Sequence, residues 1–178
     1  MPSAFGHLLV PLSLRLGLGA RRMGWRLTAF CAASAAAPDL DAIGFVFRVP
    51  YGSPWGHRGA SHSLAVALLW ALLAMLWAKP LQAPRWLVFL LVWISTTSHT
   101  LLDACTNGGK GVALLWPLTN ERFFFPFRPI LVSPIGARFF SARAFDVLGS
   151  EICWVGLPSL AVAGAILIAR RFLGEKAT

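Results

Sequence analysis

Three stretches of the chain read as continuous apolar runs. Residues 64–78 (LAVALLWALLAMLWA) and 152–169 (ICWVGLPSLAVAGAILIA) carry no charged residue, and 86–102 (WLVFLLVWISTTSHTLL) carries only His99. A membrane-crossing helix needs about 20 apolar residues, or as few as about 17, so each run spans with help from its flanks. Trp70, Trp77, Trp86, Trp93 and Trp154 lie partly near the ends of these runs, as interfacial anchors do. Two weaker runs come first. Residues 7–20 are apolar but hold Pro11 and Arg15, and the Ala-rich run 25–37 stops at Pro38. The basic pair Arg21-Arg22 joins them as a hairpin. The pattern predicts an all-α, polytopic transmembrane helix bundle of four to five spans, the N-terminal run being the fifth.

Between 104 and 151 the pattern breaks. Gly, Pro, Phe and Arg dominate (GGKG, WPLTNERFFFPFRP, SPIGARFFSARAF). A connection this long inside a compact domain is expected to have a functional or covering role. Its Phe-rich parts suit the interface on one membrane face. No linker or repeat divides the chain, so residues 1–178 are expected to form one integral membrane domain, with 104–151 as its interfacial or extramembrane segment.

Composition agrees with a bilayer. Apolar residues make up 57% and charged residues 13%, against about 45–50% and about 25% in soluble domains. The net charge of +9 would raise nucleic acid for a soluble protein. Here the arginines flank apolar runs, where topology and lipid headgroups account for them, so membrane lipids are the expected partners and nucleic acid is not. Cys31, Cys105 and Cys153 are scattered and form neither a disulfide framework nor a zinc knuckle. The start lacks a basic region before its apolar run and is read as mature sequence.

Counting spans sorts the chemistry. If the turn 79–85 lies on one side, then His57, His62, His99, Asp103, Asp39 and Asp41 all lie on the other. His7 joins them if the first run spans. Arg21, Arg22, Lys79, Arg85, Arg170, Arg171 and Lys176 fall opposite. Basic residues in short loops favour the cytoplasm, so the His/Asp face is expected to look outward, toward the periplasm of a bacterial inner membrane.

Each motif has a bland reading beside its sharp one. His99 and Asp103 stand four apart, so on a helix both reach one ion; alone they are equally an interfacial histidine and a capping acid. A neutral imidazole beside a carboxylate suits zinc, with manganese or iron as alternatives. His57 and His62 stand in H-R-G-A-S-H-S-L. Gly59 allows a tight turn there, and Ser61 or Ser63 can cap the next helix or orient a ligand. Against this, His57 and Arg58 could simply face headgroups. Asp39 and Asp41 follow a span-ending proline; one carboxylate could ligate while the other orients a histidine or serves as base, though a solvated helix end explains a lone D-x-D as well. A lone His7 is more often structural. Arg58, Lys110, Arg122 and Arg128 share this side and could hold an anionic group such as a phosphate ester, or lipid headgroups. No G-x-S-x-G elbow supports serine chemistry.

Taken together, these residues resemble the membrane-bound metal-dependent hydrolase family typified by the LexA-regulated YdjM-like proteins. The resemblance is carried by His7, by P-D-L-D (Asp39, Asp41) and by H-R-G-x-S-H-S-L (His57, Arg58, His62). It continues through S-H-x-L-L-D-x-x-T-x-x-G (His99, Asp103, Thr106, Gly109) and the Trp116-Pro117 pair. It implies an inner-membrane, multi-span protein whose metal ligands are drawn from His7, Asp39, Asp41, His57, His62, His99 and Asp103. The H-x3-D element is also similar to part of the site in zinc-dependent phospholipase C enzymes, for which only Glu121 or Glu151 could supply a later acidic ligand.

The expected function is therefore a membrane-embedded hydrolase acting on a lipid or other phosphoester. One or two divalent ions would activate water, with Asp39 or Asp41 as base and Arg58 toward the substrate. The alternative is a non-enzymatic membrane protein, either a metal-stabilised scaffold or a transport component. Transport would place polar residues in mid-span, whereas these sit at span ends.

Overall fold

The computed structural model describes residues 1–134 and 136–174; Lys176 lies outside the described residues. Helices build the fold: α1 (Ala4–Leu18), α2 (Trp25–Ala36), α3 (Leu64–Ala74), α4 (Arg85–Ala104), α5 (Arg143–Glu151) and α6 (Leu157–Phe172). Short 3-10 segments add Ala37–Phe45, Ala60–His62 and Met75–Trp77. Among the described residues the only β pairing is two isolated bridges, Thr106 with Ile130 and Val112 with Phe123.

Two helices are long and apolar enough to cross a membrane by themselves, Arg85–Ala104 and the continuous Arg143–Phe172. Ala4–Leu18 and Leu64–Trp77 are apolar but shorter. The last helix differs from the sequence expectation. It begins at Arg143, inside the stretch expected to be interfacial, and passes through a π-turn at Ile152–Gly156 before α6. Asp146 and Glu151 interrupt the hydropathy there without interrupting the helix.

Packing runs opposite to that of a soluble bundle. Alanines are buried and leucines are exposed. Ala67, Ala71 and Ala74 of α3 are fully buried, while Leu68, Leu69, Leu72 and Leu73 lie outward. Small residues let α3 approach α4 closely, and the leucines lie on the outer surface of the bundle. Behind them Met23, Leu27 and Cys31 of the α2 region meet Val88, Leu91 and Val92 of α4. The first and last helices pack together as tightly. A Cβ on Gly17 would lie 3.0 Å from the Ala163 backbone. The arginines inside the bundle are met by carbonyls, as ionisable groups in apolar surroundings require. Arg15 donates to the Met23 carbonyl (2.5 Å) and Arg170 to that of Gly17 (3.1 Å).

These contacts give the bundle two chemically distinct ends. At one end Arg26 donates to the Pro80 carbonyl at 3.4 Å, joining the start of α2 to the turn before α4. Arg21, Arg22, Lys79 and Arg85 belong to this end. The start of α1, the end of α2, the start of α3 and the end of α4 meet at the other.

Candidate metal centre

Each wall of the site is set by a local sequence feature. Ser3 caps α1 by accepting from the Gly6 amide (3.3 Å), which orients the first turn and His7. Pro38 enters a 3-10 segment that carries Asp39 and Asp41 off the end of α2. Ser63 caps α3, accepting from the Val66 amide at 3.1 Å, and leaves His62 in the turn before it. His99 and Asp103 lie one turn apart on the buried face of α4. The loop between needs glycine: a Cβ on Gly59 would stand 2.2 Å from the Pro54 carbonyl oxygen. Arg58 just before it takes a left-handed backbone conformation, φ 62°, which is uncommon for a residue with a side chain.

Asp39, His62, His99 and Asp103 form the centre, each offering one ligand atom within 4.8 Å of the others. The Nε2 atoms of His62 and His99 face one another at 3.0 Å. His62 Nε2 is 3.3 Å from Asp103 Oδ2 and 3.6 Å from Asp39 Oδ1, and His99 Nε2 is 3.5 Å from Asp39 Oδ1. His62, His99 and Asp103 are fully buried, whereas the Asp39 side chain keeps 13% exposure.

His7 approaches from the other side. Its ring stacks on His99 with centroids 3.7 Å apart. Its Nε2 lies 3.8 Å from Asp39 Oδ2 and 3.7 Å from Asp103 Oδ1. Both carboxylates thus turn one oxygen toward His62 and the other toward His7.

A second layer fixes the rings. His99 Nδ1 donates to the Ala35 carbonyl (2.6 Å), which commits Nε2 to the centre. His62 Nδ1 is 3.1 Å from Asp41 Oδ2 and 3.0 Å from Ser61 Oγ. Asp41 is saturated in turn by Ser61 Oγ (2.5 Å), the Arg58 amide (3.0 Å) and His57 Nδ1 (2.6 Å). Such outer partners raise ligand basicity and lock the tautomer. His57 therefore sits behind Asp41 and outside the four-residue group. Arg58 is also placed otherwise than a substrate-facing cation would be. It is fully buried, with Nε 2.9 Å from Asp103 Oδ2 and its other nitrogens on the Gly108 carbonyl and Thr106 Oγ1, both 3.0 Å.

Donor chemistry passes the test for a divalent cation. Both nitrogens of His7, Oδ1 of Asp39 and Oδ1 of Asp103 are buried without a hydrogen-bond partner, while Oδ2 of Asp103 is ion-paired with Arg58. Unmade polar contacts of this kind are costly in an apolar interior. Two imidazoles and two carboxylates, faced by the third imidazole of His7, are the donor mix of zinc, manganese or iron sites. In the metal-free protein burial opposes ionisation of Asp39 and Asp41, yet the histidines beside them overcome it and hold both carboxyls below the ordinary carboxylate range. Burial likewise opposes charge on His62, but the carboxylates of Asp103, Asp39 and Asp41 prevail and push it up to about 10.

The remaining basic residues on this side do different work. Arg122 donates to the carbonyls of His57, Tyr51 and Ser53, each at 3.0 Å. Arg128 lies over the Phe124 ring (4.8 Å) and Lys110 over the Tyr51 ring (5.5 Å). Residues 113–114 fold back over the histidine loop: the Ala113 amide donates to the Arg58 carbonyl (2.9 Å), and the Leu64 amide to that of Leu114 (3.1 Å). Glu121 is exposed, and Glu151 accepts from the Ser3 amide and from Ser3 Oγ (2.6 Å) rather than joining the centre. Sequence reasoning missed the Ala35 carbonyl, Ser3 with Glu151, and Thr106 and Gly108 as holders of Arg58. A backbone carbonyl leaves no mark in a sequence.

Comparison with known proteins places the chain among inner membrane proteins. A family profile described as YdjM inner membrane protein matches residues 1–174. The chain is 38% identical over 178 residues to Inner membrane protein YbcI of Escherichia coli (strain K12), covering 96% of this chain and 100% of that protein. No solved structure matches.

Proposed function

Since the chain belongs to the YdjM inner membrane protein family, we propose that it is a membrane-embedded metal-dependent hydrolase acting on a lipid phosphoester at one face of the inner membrane. The observation that carries this reading is the buried group Asp39, His62, His99 and Asp103, in which Oδ1 of Asp39 and Oδ1 of Asp103 accept no hydrogen bond. In this reading α1, α2 and α3 also cross the bilayer with their flanking residues, giving five spans. The centre then looks toward the periplasm, because the opposite end carries the short basic loops.

His62, His99, Asp39 and Asp103 would hold the ion, and His7 faces the oxygens a second ion would use. When bound, the ion supplies a water of lowered pKa and polarises a phosphoryl oxygen. Asp39 is the one member of the group with solvent exposure, so it is the carboxylate placed to accept a proton from an incoming water. Asp41 is saturated by its neighbours and acts by orienting His62. Arg58 holds Asp103 in its ionised form. A lipid suits the surroundings. An apolar cavity of about 210 Å3, lined by Ala37, Pro38, Ser61, Val66, Trp70 and Thr96, adjoins the centre.

The test is metal analysis of the purified protein with turnover of a lipid and soluble phosphoester panel. Bound zinc, manganese or iron together with turnover that Asp39→Asn abolishes is the expected result. Full burial of His62, His99 and Asp103 favours a structural metal as the second reading. Stoichiometric metal without turnover on any phosphoester would establish that one instead.

A further inference from the structure

A second feature lies at the opposite end of the bundle and owes nothing to the metal centre. Helices α1, α4 and α6 leave a groove of about 560 Å3 between them. Its walls are Leu14 and Leu18 of α1, Leu90 and Ile94 of α4, and Ile166 of α6. Its mouth holds Arg21, Arg22 and Trp86, all exposed. Among the described residues no acid lines it.

The groove continues toward mid-bundle. A smaller cavity of about 150 Å3 shares Leu14 and Ile94 with it and extends to Val10 and Ser159. From Leu18 to Val10 along α1 is about 12 Å at the helical rise, close to the roughly 15 Å hydrocarbon depth of one leaflet. Together the two neighbouring cavities follow α1 over about one leaflet, with two cations and a tryptophan at the headgroup end. That is the outline of a single phospholipid with a negative headgroup.

We propose that this groove seats one acyl chain of an anionic bilayer phospholipid from the leaflet opposite the metal centre, its headgroup phosphate paired with Arg21 and Arg22. Basic pockets between membrane helices recognise anionic headgroups in this way. The alkyl chain fills the gap that α1, α4 and α6 leave.

The test is lipid retention. Wild-type protein is taken from vesicles of equimolar phosphatidylglycerol and phosphatidylcholine, and the lipids that remain bound are identified by native mass spectrometry. The expected result is one retained phosphatidylglycerol. Each arginine near the surface gives up to about a fivefold preference, so a preference between about fivefold and about 25-fold over phosphatidylcholine is expected. Arg21→Gln with Arg22→Gln should remove the preference, and Ile94→Trp, which fills the groove, should remove retention of both lipids. Lys79→Gln with Arg171→Gln alters basic residues outside the groove and should leave the preference intact. Equal retention of the two lipids by the wild type overturns the proposal. So does an Ile94→Trp variant that keeps its phosphatidylglycerol, or a preference lost equally in the Lys79/Arg171 variant.

Discussion

His62 Nδ1 stands 3.1 Å from Asp41 Oδ2, and the other oxygen of that carboxylate closes onto His57 Nδ1 at 2.6 Å. Asp41 is thus a hinge between two histidines, only one of which faces the centre. Replacing it with Asn keeps the shape and removes the charge that makes His62 basic. Asp41→Asn should weaken zinc binding by about 10–100-fold, the usual range for a residue that orients a ligand. His57→Gln, one position further out, should weaken it less. Competition titration against a chelating dye measures both, and equal losses would show His57 to be a ligand in its own right.

His99→Ala and Asp103→Ala remove atoms that face the centre directly. Both variants should lose stoichiometric metal while keeping the helical circular dichroism of the wild type. Elemental analysis of purified protein reads the first and far-ultraviolet spectra the second. Retained metal in either variant would move the centre elsewhere.

Arg58→Met removes the charge beside Asp103 together with the bonds to Thr106 and the Gly108 carbonyl. Breaking a buried ion pair from one side costs about 3–5 kcal/mol. Thermal unfolding of the metal-free protein should show a loss of that order. Added zinc should recover part of it, because the ion takes over the uncompensated Asp103.

Acidity should act on the centre in two directions. In the metal-free protein the His62 pKa is raised to about 10 from an ordinary value of 6.5. Its charged form therefore contributes stability that is complete below pH 6.5 and is lost as pH rises through about 10. Asp41 behaves oppositely. Its pKa is held below 3.8, so its contribution is complete above that value and disappears as acid titrates the folded carboxyl. Zinc needs His62 neutral, and loading must expel its proton. Apparent affinity should rise about tenfold per pH unit between pH 6.5 and 9 if one proton is released, and a flat profile would exclude proton release.

Gly59→Ala, like Gly56→Ala, is expected to be among the most damaging small changes in the histidine loop. At Gly59 the new methyl would stand 2.2 Å from the Pro54 carbonyl oxygen and 2.6 Å from that of Gly56, and backbone cannot yield as a side-chain tip can. Loss of expression as folded protein, read by size-exclusion chromatography, is the outcome to check. Gly52→Ala, where a Cβ meets nothing within 4 Å, is the matched control.

Much of the helical layout was legible because apolar runs are long compared with their interruptions. The runs at 86–102 and 25–37 became Arg85–Ala104 and Trp25–Ala36. The run at 64–78 became a shorter α-helix that tightens into a 3-10 turn at Met75–Trp77. Where the reading failed, charge misled it. Asp146 and Glu151 hid the first turns of the last helix. The site was legible as a set of residues on one face, since span counting brings chain ends together whatever their distance in sequence. Their ranking was not. Nothing in H-R-G-A-S-H tells that His62 turns toward Asp103 while His57 turns toward Asp41, because that depends on a left-handed Arg58 and on carbonyls from elsewhere in the chain. Arg58 itself looked like a cation for substrate, and burial makes it a counterion for Asp103 instead.

The clasp between the two ends of the chain has a consequence for biogenesis. Every residue facing the centre has been synthesised once Asp103 leaves the ribosome. Yet the helix that carries His7 is seated by Glu151, which accepts from Ser3, and by Ala163 against Gly17. If the centre takes a metal, its completion in a nascent chain waits on the last helix: a chain halted before Arg143 would present His62 and His99 but leave His7 without its seat. Insertion of the final span would then serve as the step that completes maturation.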